Sequence, residues 1–162
     1  MENYLMINGK RIDLTEEQIE ILTEGCRKED PFERRPGEIA YYINYDGKVY
    51  SDTDDEAEQD DEAYDVANYC TSKELMEQRA LHEILNRRLW RYSEQHGGEA
   101  EWDGKNRHWS VAVSKENDQL DFVWVCSIKT LGEIYFRDEA TARGAAREIV
   151  EPFLKEHPGF VL

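Results

Sequence analysis

The chain has 162 residues, 40% of them apolar and 35% charged, with nine tyrosines and four tryptophans. That length suits one compact domain, and that composition supplies a core, so intrinsic disorder is excluded. The formal charge of −16, from 36 acidic against 20 basic residues, argues against direct nucleic-acid binding, which needs Lys and Arg to neutralise phosphates, and favours a basic partner.

Cys26, Cys70 and Cys126 are an odd number without C-x-x-C spacing. They suit neither a disulfide framework nor a zinc site, and a reducing host cytoplasm is the expected compartment. The start Met1-Glu2-Asn3-Tyr4 lacks the basic and apolar regions of a signal peptide, and no run approaches the ~18 apolar residues of a membrane helix.

Taken in order, Tyr4 to Ile12 reads as a hairpin, because Asn8-Gly9 supplies the two positive-φ residues of a type I′ turn. Thr15 with Gln18 makes a capping box, Leu14 and Ile19 form a hydrophobic staple, and Gly25 ends a helix expected at about Glu16–Glu24. Arg27 to Gly37, with Pro31 and Pro36, reads as a connector. From Glu38 the period becomes two: Ile39, Tyr41, Ile43 and Tyr45 alternate with Ala40, Tyr42 and Asn44, and Asp46-Gly47 turns the chain into Lys48-Val49-Tyr50.

An acidic run follows, Asp52 to Glu62, with eight carboxylates in eleven residues and no base. It reads as a loop. Tyr64–Cys70 is expected as a third strand, and Thr71-Ser72-Lys73-Glu74 as a capping box opening a helix to about Gln95, with a core stripe of Leu81, Ile84, Leu85, Leu89 and Tyr92. Gly97-Gly98 ends it.

The second half repeats the plan. His108 to Val113 alternates as a strand, Asn117-Asp118 turns it back through Phe122–Cys126, and Gly132–Phe136 is a third strand. Asp138 caps a helix whose buried face is Ala142, Ala145, Ala146, Ile149 and Phe153, with Pro152 kinking or restarting it. The expectation is an α+β fold of two pseudo-duplicated β-β-β-α units, antiparallel sheets with packed helices, over 38–98 and 99–162. An N-terminal hairpin, helix and connector over 1–37 precede them, all in one domain.

Several stretches carry a resemblance: Asp30-Pro31-Phe32-Glu33-Arg34, Tyr41-Tyr42-Ile43-Asn44, Asp46-Gly47-Lys48-Val49, Ser51-Asp52, Val66-Ala67-Asn68-Tyr69, Lys73-Glu74-Leu75, Trp102-Asp103-Gly104-Lys105-Asn106 and Gly132-Glu133-Ile134-Tyr135-Phe136. Together these resemble small accessory proteins of phages and prophages of Gram-positive bacteria, over nearly the whole chain from Asp30. The resemblance implies an accessory protein that interferes with or redirects a host system. The dense acidic run stands where a shorter, less charged loop is expected.

The residues give no coherent catalytic set. Glu101-Trp102-Asp103-Gly104-Lys105 with His108 is the nearest approach to a metal-dependent nuclease, but Asp-Gly is a turn signal that also occurs at Asp46-Gly47. Asp52, Asp54, Glu56 and Glu58 alternate as calcium ligands could, yet Ala57 and Ala63 occupy the positions where an EF-hand needs glycine and glutamate. No Cys–His spacing marks a thiol nucleophile among Cys70, Cys126, His82, His96, His108 and His157. Arg87, Arg88, Trp90 and Arg91 form a secondary candidate surface, with an aromatic among guanidiniums, although Glu83 is placed to pair with Arg87.

The leading expectation is a non-enzymatic inhibitor without cofactor or metal. It would fill the basic cleft of a host defence protein, a CRISPR nuclease or restriction enzyme, as a DNA mimic. Its contacts would be Asp52, Asp54, Asp55, Glu56, Glu58, Asp60, Asp61, Glu62 and Asp65. The alternative is a structural or regulatory phage module, an assembly or replication partner, whose acidic run is a solvated loop.

Overall fold

Alternating apolar residues and short polar turns pair the strands of this chain locally, and the helices supply the apolar faces that cover them. A computed structural model describes residues 4–7, 10–19, 30–114 and 119–161. It has both helices and antiparallel strand pairs, an α+β fold. By its contacts the chain divides into two compact units, Met1–Glu33 and Arg34–Leu162.

In the first unit, β1 (Tyr4–Ile7) pairs antiparallel with β2 (Lys10–Asp13), from Tyr4↔Asp13 to Ile7↔Lys10. This register leaves a two-residue connection, as Asn8-Gly9 demands, although those two lie outside the described residues. Residues 16–19 are helical. The expected capping box is formed: the Gln18 amide donates to Thr15 Oγ1 at 3.3 Å, and the Thr15 amide to Gln18 Oε1 at 3.1 Å. The rest of the expected span to Glu24, with Gly25 and Cys26, falls outside the described residues.

In the second unit, β3 (Ile39–Ile43) pairs with β4 (Val49–Thr53), with Tyr42 opposite Tyr50. The turn is closed by the Gly47 amide on the Asn44 carbonyl at 2.8 Å, with Gly47 at φ +80° where a side chain is strained. After β4 comes α1 (Glu58–Asp65), then α2 (Lys73–Gln95). A second hairpin follows, β5 (His108–Val113) with β6 (Leu120–Val125), and Trp109 faces Trp124 across the adjacent strands. The turn residues Asn117 and Asp118 are outside the described residues. Finally α3 (Glu139–Ala145) runs into a π turn (Ala146–Val150) and α4 (Glu151–Glu156).

Neither expected third strand forms. Tyr64 and Asp65 end α1, and Cys70 makes a single antiparallel bridge to Tyr41. Asn68 supplies the next rung with its side chain, whose amide accepts from the Ile43 N–H and donates to the Ile43 carbonyl, both at 2.9 Å. Gly132–Phe136 likewise contributes one bridge, Phe136 to Trp109. Each sheet among the described residues is therefore a two-stranded hairpin, and each segment leaves the sheet after one rung because a helix cap follows two residues later.

Those caps are Ser72, which accepts from the Leu75 amide at 3.3 Å, and Asp138, which accepts from the Thr141 amide at 2.8 Å and its hydroxyl at 2.9 Å. The first cap lies one residue later than the expected Thr71. α2 ends in a Schellman arrangement, the Gly98 amide donating to the Ser93 carbonyl at 2.8 Å.

The core lies along α2. Met76 and Ala80 pack with Ile43 and Cys70 against the first hairpin. Further along, Leu85 meets Val150 and Phe153, while Tyr92 meets Phe136, Ala142 and Ala145. Leu81, Ile84 and Leu89 of the expected stripe are half-buried at its edges. On the last helix Ala142, Ala145, Ala146 and Phe153 are buried as expected, but Val150 takes the inward place expected of Ile149. The π turn is the reason, because its extra residue shifts the phase of the face by one position.

Candidate acidic interaction surface

The acidic run is divided among the end of β4, a short connection over 54–57 and the start of α1, and it is not uniformly exposed. Asp52 and Thr53 finish β4, and Asp54 turns inward with no solvent exposure. Arg34, twenty positions upstream, grips its carboxylate in a fork, Nε to Oδ2 and Nη2 to Oδ1, both at 2.9 Å. The Tyr69 hydroxyl donates to Oδ2 at 3.1 Å and the Glu56 amide to Oδ1 at 3.1 Å. The Arg34 hydrogen bonds, joined by those from Glu56 and Tyr69, hold Asp54 ionised and bring its pKa down to about 2 against the opposing effect of burial. Burial pushes the Tyr69 phenol up, and the phenol also accepts from the Arg35 amide at 3.0 Å.

The same guanidinium reaches Asp61 through Nη1, so one arginine ties the end of β4 to the middle of α1. Asp60 is also used within the chain. Its Oδ2 accepts from the amides of Asp55 and Ala57 at 3.1 Å each, which is half of a capping box since Ala57 has no side-chain acceptor to return. Carboxylates in the first turn of α1 oppose the positive end of its dipole, so an acidic sequence is at home there. Two non-glycine residues with positive φ, Glu56 at +61° and Ala67 at +55°, flank the helix.

Asp61 faces solvent but is paired with Arg34, whereas Asp52, Asp55, Glu56, Glu58, Glu62 and Asp65 face solvent with no cationic partner among the described residues. Asp54, Asp60 and Asp61 are withdrawn from the expected contact set because the fold uses them. The alternation of Asp52, Asp54, Glu56 and Glu58 as calcium ligands is absent for the same reason. Among the described residues no group of three or more His, Cys, Asp or Glu is placed to hold a metal.

The other candidates have separate fates. Arg87 pairs with Glu83 at 2.8 Å, as the four-residue spacing implies. Arg88 reaches Glu156 at 3.6 Å and stands over Phe153, while Trp90 and Arg91 are exposed. Asp103 is a turn residue, its Oδ1 accepting from the Lys105 and Asn106 amides at 2.8 Å each. His108 is interior and stacked on Trp102. Glu133 accepts from Tyr135 at 2.7 Å and also from Ser110 and Thr130, and these hydrogen bonds lower its pKa even though burial, the larger single influence, raises it. The Cys70 sulfur is buried against Ser72, and Cys126 is half-buried just beyond β6.

Arg34 and Tyr69 were not singled out by sequence reasoning. Arg34 lies in a stretch that reads as a connector, and no spacing rule links it to an aspartate twenty residues on. No family model matches the chain, and no curated protein or solved structure matches it either.

Proposed function

We propose that this protein acts by binding, with the acidic surface around α1 occupying the basic cleft of a nucleic-acid-binding protein in place of a phosphate backbone. One observation carries the reading: six exposed carboxylates, without cationic partners among the described residues, lie on and beside a short helix that Arg34 ties to the buried Asp54 through its contact with Asp61. At 1.5 Å per residue α1 is about 12 Å long. Leaving out Asp60 and Asp61, which the fold uses, it carries three acidic residues, or about one per 4 Å, comparable with the ~3.4 Å between phosphates of a single strand. A pre-set geometry lowers the ordering penalty that a flexible acidic loop meets on binding.

The phage resemblance makes a host defence enzyme, a CRISPR nuclease or restriction enzyme, the first partner to test. The second reading is an assembly or replication module. Internal use of Asp54, Asp60 and Asp61 favours it, because part of the run then serves folding alone.

The test is a variant with Asp55→Asn, Glu58→Gln, Glu62→Gln and Asp65→Asn, assayed for inhibition of candidate nucleases at 50 and 200 mM salt beside its thermal unfolding. Inhibition that disappears in the variant and weakens with salt, at unchanged stability, supports mimicry. Equal inhibition by the variant and the parent moves the binding surface elsewhere. Changing Asp54 or Asp60 would confound the assay by disturbing the fold.

A further inference from the structure

A groove of about 750 Å³ opens between β6 and the last helical segments, within the ~300–1,000 Å³ range of small-molecule sites. Leu120, Phe122 and Leu154 supply an apolar lining, and all three are half-buried against the core. Three cations, Arg143, Arg147 and Lys155, stand around it against one anion, Glu151. This reverses the balance of the chain, in which acids outnumber bases by 36 to 20. Another groove, of about 520 Å³ by the β3–β4 turn, has Lys48 and His157 against Glu77 and Glu156 and shows no such reversal.

The three cations are not equivalent. Arg143 is held as a wall, its Nε and Nη2 on Glu139 Oε1 at 2.9 and 2.7 Å and its guanidinium carbon 4.3 Å from the centre of the Phe122 ring. Arg147 pairs only with exposed Glu148 at 2.9 Å, a surface contact that an incoming anion can replace at little penalty. Lys155 has no anionic partner among the described residues. Ala146 and Arg147 reach the groove from the π turn, a distortion that recurs at functional sites.

We infer that this groove binds a single-chain alkyl carboxylate, its tail on Leu120, Phe122 and Leu154 and its head between Arg147 and Lys155. This stands apart from the acidic surface and the reading placed on it. A non-specific amphiphile would be selected by the overall negative charge and would be cationic, so preference for an anion is the signature of a built site.

The experiment is an NMR titration of the whole chain with octanoate, decanoate, decanol and decyltrimethylammonium, all below their micellar concentrations. Expected are shifts centred on Leu120, Phe122 and Leu154, and a rise in affinity of about fourfold per added CH₂. Decanoate should bind at least tenfold tighter than decanol, and R147Q/K155Q should lose at least tenfold with thermal unfolding unchanged. If the double variant loses stability, K155Q alone, at an exposed residue, must show a loss of at least threefold. Decyltrimethylammonium shifting the same residues as strongly as decanoate, no shifts at the groove, or decanoate binding indifferent to these substitutions would overturn the assignment.

Discussion

Arg34 grips Asp54 through two parallel hydrogen bonds of 2.9 Å while the carboxylate is wholly withdrawn from water and the arginine side chain stays 23% exposed. The pair is therefore asymmetric: losing the arginine strands a buried charge, whereas losing the aspartate leaves a cation that still reaches solvent and Asp61. Arg34→Met should destabilise the protein by about 3 kcal/mol. Asp61→Asn, at a 60% exposed partner, should change stability by less than ~1 kcal/mol. Urea unfolding of the two variants checks the order, and equal effects would contradict the asymmetry.

The same fork makes a prediction about acid. Folding lowers the Asp54 pKa from its ordinary 3.8 to about 2, so the native state holds its proton less tightly than the unfolded chain. The stabilisation is complete above pH ~4 and is lost as the pH falls from there toward 2. Asp138, lowered chiefly by the Thr141 amide, acts in the same direction. Unfolding free energies of the parent and Asp54→Asn should converge over that interval, and a constant gap between them would refute the assignment.

The paired tryptophans separate two kinds of strand position. Trp124 is 46% exposed, with the Arg107 guanidinium 4.3 Å from its ring centre, while Phe153 is fully buried. Alternation suggests burial for both tryptophan rings, but among the described residues β6 pairs with β5 alone and leaves the Trp124 ring half open to solvent. Trp124→Ala should lose about 1 kcal/mol and Phe153→Ala ~3–5 kcal/mol in chemical denaturation.

Ala67 sits at φ +55° just after α1, a region that disfavours a side chain by ~1–2 kcal/mol. Ala67→Gly should therefore raise stability, by ~0.5–1 kcal/mol once the added freedom of the unfolded chain is subtracted. Calorimetry decides this, and a decrease would mean that the Ala67 methyl group makes packing contacts of greater value.

Local chemistry was legible wherever neighbours in sequence are neighbours in space. Thr15 with Gln18, the Asp138 cap and the Asp46-Gly47 turn all follow from spacings of a few residues. The candidate surface was legible only as composition. Which carboxylates stay outside depends on Arg34, brought to Asp54 by tertiary folding, and on Asp60 finding two backbone amides. The third strands were misread because period-two patterns at Tyr64–Cys70 and Gly132–Phe136 are too short to outweigh the helix α1 on one side and a helix cap on the other. The cationic groove escaped notice because Arg143, Arg147 and Lys155 look like an ordinary solvated helix face until Leu120 and Phe122 of another element are set beside them.

The π turn at Ala146–Val150 has a bearing on the proline that follows it. In geometry a π turn is equivalent to an α-helix carrying one inserted residue whose flanks keep their places. Two residues on lies Pro152, which cannot donate a hydrogen bond and whose ring collides with the carbonyl four positions earlier in a regular α-helix. The wider turn, in which the Glu151 amide bonds to the Ala146 carbonyl, relieves that collision. Insertion and proline are then a matched pair. Deleting exposed Glu148 alone should cripple the helix by placing a proline inside regular α geometry, whereas the deletion combined with Pro152→Ala should be tolerated and give a continuous helix.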